Sequence, residues 1–166
     1  MSRFLVILTE AVIPRILALD VGDARIGLAL SDPTGILASP YKILTRENTA
    51  SDIQSILDIA RDNAVERIIV GLPVNMDGTQ GGQALKVKDF VNELRLQTDL
   101  PVEFKDERLT TVQAKEFMKA SRKTNRGTRY DAAAAALILQ SYLDDKLPPK
   151  EIPEDRPPED YVSRND

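Results

Sequence analysis

The first third of the sequence contains three strand-like stretches joined by turns that are too short to hold a helix. Residues Arg15–Asp20 are mostly apolar, Gly22 permits a tight turn, and Arg25–Ser31 is separated from Ile36–Leu44 by the turn sequence Asp-Pro-Thr-Gly. Strands connected this closely pair antiparallel, because a parallel pair needs a much longer crossover. We therefore predict an antiparallel meander whose first strand, apolar on both faces, lies in the centre of a sheet.

After the meander, helical and strand patterns alternate. Two short apolar stretches, Arg67–Leu72 and Val102–Lys105, predict the remaining strands. The last helix is expected from Ala132 to Leu143, where a run of alanines suits close packing against a sheet. Apolar residues at helical spacing predict four helices, which begin at Thr49-x-x-Asp52, before Val87, at Thr110-x-x-Gln113 and at Asp131. This order predicts an α/β fold with a mixed five-stranded sheet flanked by helices on both faces.

The length of 166 residues and the hydrophobic fraction of 42% fit one globular domain with its own core. We expect this domain to span residues 15–145, after a short extension at residues 1–14. Residues 146–166 alternate prolines with charges, which is typical of a disordered acidic tail. No apolar run approaches the roughly 18 residues that a membrane span needs, so no membrane partner is expected.

The sequence contains no histidine and no cysteine. Their absence excludes imidazole and thiolate chemistry, including Ser-His-Asp and Cys-His catalysis and cysteine-based zinc sites. Hydrolysis would then depend on carboxylates and on ions that prefer oxygen ligands, which indicates Mg²⁺ or Mn²⁺. The lack of cysteine also agrees with a reducing compartment, and we expect a cytoplasmic protein.

Three acidic residues occupy positions where an α/β sheet places its ligands. Asp20 ends the first predicted strand, Glu107 follows the short strand at Val102–Lys105, and Asp131 opens the last predicted helix. Ligands of open α/β sheets bind at the carboxyl ends of strands, near a switch in strand order. We predict that these three carboxylates share divalent ions and hydrolyse phosphodiester bonds, since such ions hold the attacking and leaving oxygens.

Each of the three acids also has a purely structural interpretation. Asp20 precedes a glycine turn, and aspartate is a common turn residue. Asp131 suits a helix N-cap, and Glu107 suits a solvated surface. The other acids of these stretches, Asp23, Asp32 and Asp106, are assigned to turns or to the surface, although Asp106 could also assist the three.

A basic segment lies between Lys105 and Arg129, although the whole chain has a net charge of −4. It contains eight basic and three acidic residues. Such a segment can be a solvated helix end and loop, but beside a metal site it favours binding of a phosphate backbone. We therefore predict nucleic acid as the partner. The predicted nucleic-acid-binding residues are Arg25, Asn75, Arg108, Lys119, Arg122, Lys123, Arg126 and Arg129.

Four segments of the chain resemble, in order, the motifs of the YqgF/RuvX family of Holliday junction resolvases. They are Leu19–Asp32, Val70–Gly78, Asp106–Thr111 and Asn125–Ala133. The resemblance implies a ribonuclease H-like fold with Asp20, Glu107 and Asp131 as the acidic triad. It also implies a nuclease acting in junction resolution or in maturation of the 5′ end of 16S ribosomal RNA. The expected partners are then precursor rRNA or branched DNA, and a ribosomal subunit.

Two other functions remain open from the sequence. Asp20-x-Gly22 before a meander also resembles the first phosphate loop of the actin, Hsp70 and sugar-kinase superfamily, although a single domain has no second half to close the cleft. Alternatively, the chain could be a non-catalytic module that binds nucleic acid or a ribosomal partner. The sequence leaves both a monomer and a homodimer open.

Overall fold

The computed structural model describes residues 15–75, 77–106 and 127–146, and in the last range it describes side chains from Ala132 onward. The strands are β1 (Arg15–Val21), β2 (Arg25–Ser31), β3 (Ala38–Thr45), β4 (Val65–Leu72) and β5 (Val102–Asp106). The helices are α1 (Thr49–Asp62), α2 (Gly82–Gln97) and α3 (Gly127–Lys146). Among these residues, no helix combines the length and the apolar composition that crossing a membrane requires.

The five strands form one mixed sheet in the order β3-β2-β1-β4-β5. β1 pairs antiparallel with β2 and parallel with β4, and β4 pairs parallel with β5. The predicted meander and the central position of the first strand are therefore confirmed. Because β1, β4 and β5 run in the same direction, their carboxyl ends lie at one edge of the sheet, which we call the carboxyl edge.

The two faces of the sheet are covered by different helices, because alternate residues of a strand point to opposite faces. On one face, Leu17, Leu19 and Val21 of β1 join a core with apolar residues of α1 and α2. On the other face, which we call the α3 face, small side chains of the sheet meet α3. This second core contains Ala18, Ala29, Ile69, Ala135, Ile138, Leu139, Tyr142 and Leu143.

The last turn of helix α3 lies near the start of β1. Near the start of β1, Ile16 lines a cavity of about 480 Å³ together with Tyr142, Leu143 and Lys146 from the last turn of α3. In the same region, the guanidinium of Arg67 donates to the hydroxyl of Tyr142 over 3.5 Å. Since the end of α3 lies at the start of β1, the beginning of α3 lies toward the carboxyl edge.

Several local predictions need correction. The N-cap of α1 is Asn48, whose side chain accepts from the backbone N–H of Ser51, rather than Thr49. Helix α3 begins at Gly127, which places Asp131 inside the helix and excludes it as the N-cap. Lys146 is the last residue of α3 rather than the first of the tail.

Other predictions fall outside the described residues. These are the helix predicted at Thr110, the extension at residues 1–14 and the tail after Lys146.

Candidate active site at the carboxyl edge of the sheet

Asp20 is the second-last residue of β1, and it lies half-buried near the carboxyl edge. Its Cα partner on β2 is Gly27, and the preceding pair, Leu19 and Leu28, belongs to the core under α1 and α2. Because successive side chains alternate, Asp20 shares the α3 face with Ala18. The sequence therefore places one carboxylate at the carboxyl edge, on the face that α3 covers.

The turn after Asp20 is tight. The backbone N–H of Gly22 donates to the carbonyl oxygen of Arg25 over 2.9 Å. A Cβ at position 22 would lie 2.9 Å from that same oxygen, which is closer than real Cβ contacts, so the turn requires glycine. The predicted glycine turn is confirmed.

Contacts from α2 also hold this turn. The side chain of Gln83 donates to the carbonyl oxygen of Val21 over 3.4 Å, and Lys86 pairs with Asp23 at 3.3 Å. Asp23 is thereby confirmed as an exposed turn residue.

Asp131 lies on α3, one helical turn before Ala135, which is fully buried against the sheet. From Tyr142, which packs near the start of β1, Asp131 lies eleven residues back, or about 16 Å along the helix axis. From Ile16, Asp20 lies four residues forward, or about 13 Å along the strand. A helix of this length, directed along β1, would reach the end of the sheet at which Asp20 lies.

Glu107 follows the last residue of β5 and lies outside the described residues. Asp106 pairs with Leu72 at the carboxyl end of β4, so β5 ends at the carboxyl edge. Asp106 itself is exposed, as predicted. Strand β4 separates β5 from β1, and neighbouring strands lie about 4.8 Å apart, so β1 and β5 are about 10 Å apart at this edge.

Two ion pairs lie where β4, β5 and α3 meet. Lys105 of β5 pairs with Asp145 of α3, and Arg67 of β4 pairs with Glu103 of β5. Glu103 and Lys105 are two residues apart, and they occupy the same side of β5. These contacts fix that side of β5 as part of the α3 face.

Among the described side chains, no group of three acidic residues, histidines or cysteines lies close enough to hold a metal ion. Glu107 and the side chain of Asp131 lie outside that description, so the acidic triad stays a prediction. Asp20 and the end of β5 lie at the carboxyl edge, and the last turn of α3 lies near the opposite end of β1.

Among the predicted nucleic-acid-binding residues, the structure describes the side chains of two, Arg25 and Asn75. Arg25 is half-buried at the start of β2, two residues before Gly27, and shares the α3 face with Asp20. The amide of Asn75 donates to the hydroxyl of Thr79 over 2.9 Å, and its backbone N–H donates to the carbonyl oxygen of Thr79. Asn75 therefore helps to close its own loop.

The remaining basic positions are not described as side chains. Arg129 lies in the first turn of α3, and its side chain is outside the description. The positions entirely outside the described residues are Arg108, Lys119, Arg122, Lys123 and Arg126.

Asp32, whose pKa is strongly shifted, lies at the end of the strands opposite to the carboxyl edge. A hydrogen bond from the hydroxyl of Thr34 lowers the pKa of Asp32 to about 2, with backbone N–H donors of Leu37 and Ile36 acting in the same direction. Asp32 follows β2 and belongs to the turn between β2 and β3. Its predicted role as a turn former is confirmed, and the shift has no part in the candidate site.

The sequence did not reveal one basic residue that adjoins the site. Arg46, directly after β3, donates to the carbonyl oxygen of Gly22 over 3.2 Å. Its other contacts, with Asp52 and Phe90, come from two further segments of the chain. No spacing pattern in the sequence connects Arg46 with Gly22 or Phe90, so these contacts are visible only in the three-dimensional structure.

Two solved structures have similar folds at low sequence identity. The Fowlpox virus resolvase in complex with Holliday junction DNA has a TM-score of 0.52 and 15% identity, covering 81% of this chain and 99% of its own. T. thermophilus RuvC in complex with a Holliday junction substrate has a TM-score of 0.52 and 12% identity, covering 80% of this chain and 94% of its own. These similarities confirm the ribonuclease H-like fold.

Sequence relatives identify the family. A protein of Roseiflexus sp. (strain RS-1), named "Putative pre-16S rRNA nuclease", is 46% identical over 132 residues, covering 78% of this chain and 94% of its own. A protein of Dehalococcoides mccartyi with the same name is 45% identical over 129 residues, covering 78% and 97%. The family model RuvX, Holliday junction resolvase, matches residues 14–145. The chain therefore belongs to the RuvX family of Holliday junction resolvases, a nuclease family, as the sequence motifs implied.

Proposed function

We propose that this protein is an endonuclease that hydrolyses phosphodiester bonds in structured nucleic acid, with Asp20, Glu107 and Asp131 as its catalytic carboxylates. The observation that carries the proposal is the convergence of β1 and α3. Asp20 lies at the carboxyl end of β1 on the α3 face, and the last turn of α3 lies near the start of β1, so we infer that α3 carries the segment containing Asp131 toward the same end as Asp20.

The register of β5 supports the choice of Glu107 as the third carboxylate. Glu103 and Lys105 face the α3 side through their pairs with Arg67 and Asp145. Continued strand alternation would give residue 107 that same side. From that side, a glutamate at position 107 would share divalent ions with Asp20 across β4.

The donor chemistry of the proposed triad fits Mg²⁺ or Mn²⁺. Carboxylate oxygens are the ligands these hard ions prefer, and the chain contains no histidine or cysteine that would favour zinc or copper. Asp20, Glu107 and Asp131 would hold the ions. Bound divalent ions supply an activated water and positive charge at the leaving oxygen. The protein contributes a rigid strand and a packed helix that hold the carboxylates in place.

We propose 5′-end processing of pre-16S rRNA, Holliday junction resolution, or both as the activity. The rRNA substrate is supported by the names of relatives that are 45–46% identical. The junction substrate is supported by the description of the family. The net positive composition of the segment from Lys105 to Arg129 would favour binding of the phosphate backbone of either substrate.

The partners follow from that activity. Precursor rRNA or branched DNA would be bound by Arg25, Asn75 and the basic segment, and a ribosomal subunit would present the rRNA end. We expect the protein to act in the cytoplasm. A monomer suffices for a single cut, whereas paired cuts in a symmetric junction favour a homodimer.

The test offers four-way DNA junctions and precursor 16S rRNA side by side to the wild type, with Mg²⁺ or Mn²⁺. The variants Asp20→Asn and Glu107→Gln should bind substrate and fold normally but lose cleavage. Asp58→Asn, an exposed carboxylate on α1, is the matched control and should cut like the wild type.

The outcomes separate the three candidate functions. Cleavage by contaminant-free Asp20→Asn would reject the assignment of Asp20. Binding that survives in all variants, with no cutting by the wild type, would indicate a non-catalytic module. Saturable ATP binding without nucleic-acid cleavage would indicate a phosphotransferase-like domain.

A further inference from the structure

We propose that Arg46 is a positioning residue for Asp20. It fixes the backbone turn that follows the proposed catalytic carboxylate and does not contact the substrate itself. The inference rests on the proposed function for its effect on cleavage. Its structural part concerns the mobility of one turn, and it can be measured independently of cleavage.

The first contact is with the turn itself. The Nη1 of Arg46 donates to the carbonyl oxygen of Gly22 over 3.2 Å, and the backbone N–H of Arg46 donates to the carbonyl oxygen of Ala24 over 2.9 Å. Gly22 lies two residues after Asp20. Arg46 therefore holds the turn from both its backbone and its side chain, while the Gly22–Arg25 hydrogen bond closes the turn from within.

The second contact anchors Arg46 to α1. Its Nε pairs with the carboxylate of Asp52 at 3.1 Å, and the Asp52 side chain is only 4% exposed. The other oxygen of Asp52 accepts the backbone N–H of Glu47 over 3.1 Å. A buried carboxylate with both oxygens engaged is a fixed point, because leaving it unpaired carries a large penalty. The guanidinium is thereby held in one orientation.

The third contact is with α2. The guanidinium carbon of Arg46 lies 5.3 Å from the centre of the Phe90 ring, and Phe90 is buried in the core between α2 and the sheet. A guanidinium can donate in its plane while it stacks on an aromatic face, whereas a lysine ammonium cannot match this fork geometry. The three contacts together join the turn after Asp20 to α1 and α2.

These contacts matter for cleavage because catalytic groups must be held within about 0.5 Å of their productive positions. The backbone of Asp20 is supported on one side by the sheet and on the other by a glycine turn. Glycine is the most permissive residue in backbone conformation, so the turn at Gly22 depends on contacts with other segments as well as on its own hydrogen bond. Arg46 supplies such a contact on the α1 and α2 side of the sheet, away from the substrate.

The experiment compares Arg46→Gln and Arg46→Lys with Arg61→Gln, an exposed arginine on α1 that serves as the matched control. Amide hydrogen exchange at Gly22 should accelerate about tenfold or more in Arg46→Gln and less in Arg46→Lys. The single-turnover cleavage rate at saturating substrate should fall about tenfold, with KM changed less than about twofold. The Mn²⁺ concentration for half-maximal rate should rise, and Arg61→Gln should match the wild type in every measurement.

Unchanged exchange at Gly22 in folded Arg46→Gln would overturn the proposal, whatever happens to cleavage. Faster exchange with an unaltered cleavage rate would also overturn it, because the turn would then be irrelevant to Asp20. If Arg46→Gln does not fold, the same two measurements on Arg46→Lys decide. If the wild type cuts neither substrate, the proposed function fails, and the exchange at Gly22 still tests whether Arg46 holds the turn.

Discussion

Asp20 on β1 lies directly opposite Gly27 on β2. The cross-strand partner of the proposed catalytic carboxylate therefore has no side chain. The diagonal neighbours of Asp20 on the α3 face are Arg25 and Ala29, one of which is cationic and the other small. At this position of β2, no side chain lies directly opposite Asp20, and a cationic residue lies diagonally from it.

We predict that Gly27→Val reduces cleavage much more than it reduces stability. Directly opposed Cβ atoms lie about 4.5–5.5 Å apart, so a valine would occupy the space beside the Asp20 carboxylate. The cleavage rate should fall about tenfold or more. The free energy of unfolding should fall by about 1–3 kcal/mol, as is usual for overpacking at a buried position. Single-turnover kinetics and urea denaturation measure the two effects.

Leu30→Ala is the control for that variant. Leu30 is on the same strand but belongs to the core under α1 and α2. It should lose as much stability as Gly27→Val, or more, while cleavage by the folded fraction is retained. Equal losses of cleavage in the two variants would show that Gly27 acts through stability alone.

We predict that Leu139→Ala lowers the free energy of unfolding by about 2–5 kcal/mol, because Leu139 is fully buried between α3 and the sheet. Leu137→Ala on the same helix should change it by less than about 0.5 kcal/mol, since Leu137 is 39% exposed. Urea denaturation of both variants checks the difference. Similar losses at the two positions would contradict the observed packing of α3.

We predict that Asp32 contributes to the stability of the folded protein and that this contribution is lost in acid. Hydrogen bonds in the β2–β3 turn lower the pKa of Asp32 from 3.8 to about 2, so the folded state favours the carboxylate. This stabilisation is present above pH 4 and is lost as the pH falls through the folded pKa. The stability difference between the wild type and Asp32→Asn should therefore shrink between about pH 4 and pH 2. A difference that stays constant over that range would refute the shift.

We predict that Arg126→Glu weakens nucleic-acid binding and flattens its dependence on salt. Each lost phosphate contact should reduce the slope of log K against log salt concentration by about one. Arg61→Glu makes the same charge change on α1, which covers the face opposite α3, and should leave the slope unaltered. Fluorescence anisotropy with a four-way junction at several salt concentrations measures both. An identical slope for the wild type and Arg126→Glu would show that the basic segment does not bind the phosphate backbone through Arg126.

The strands were predictable where an apolar run has turn residues on both sides. Strand β2, for example, begins and ends at the predicted residues. Strand β3 begins at Ala38 rather than Ile36 because the backbone N–H groups of Ile36 and Leu37 donate to the carboxylate of Asp32. These local hydrogen bonds compete with strand pairing, and they leave two apolar residues exposed in the turn. The pattern of apolar residues in the sequence does not reveal that these hydrogen bonds replace strand pairing.

The site was predictable in part. The position of Asp20 at a strand end followed from the apolar run and the glycine turn, and the sheet order confirmed its central place. The start of α3 was misplaced because Gly127 and its neighbours continue a basic stretch that resembles a loop. The contacts of Arg46 join residues 22, 52 and 90, and no periodic pattern encodes a contact among such distant positions.

Ala18 and Ala29 are paired across β1 and β2, and both are fully buried beneath α3. Apart from the hydrogen of glycine, a methyl group is the smallest side chain, so these two alanines let the helix approach the sheet closely. They act as a spacer between the element that carries Asp20 and the element that carries Asp131. Enlarging either alanine would raise α3 from the sheet, so these two methyl groups set the distance between the strand that carries Asp20 and the helix that carries Asp131.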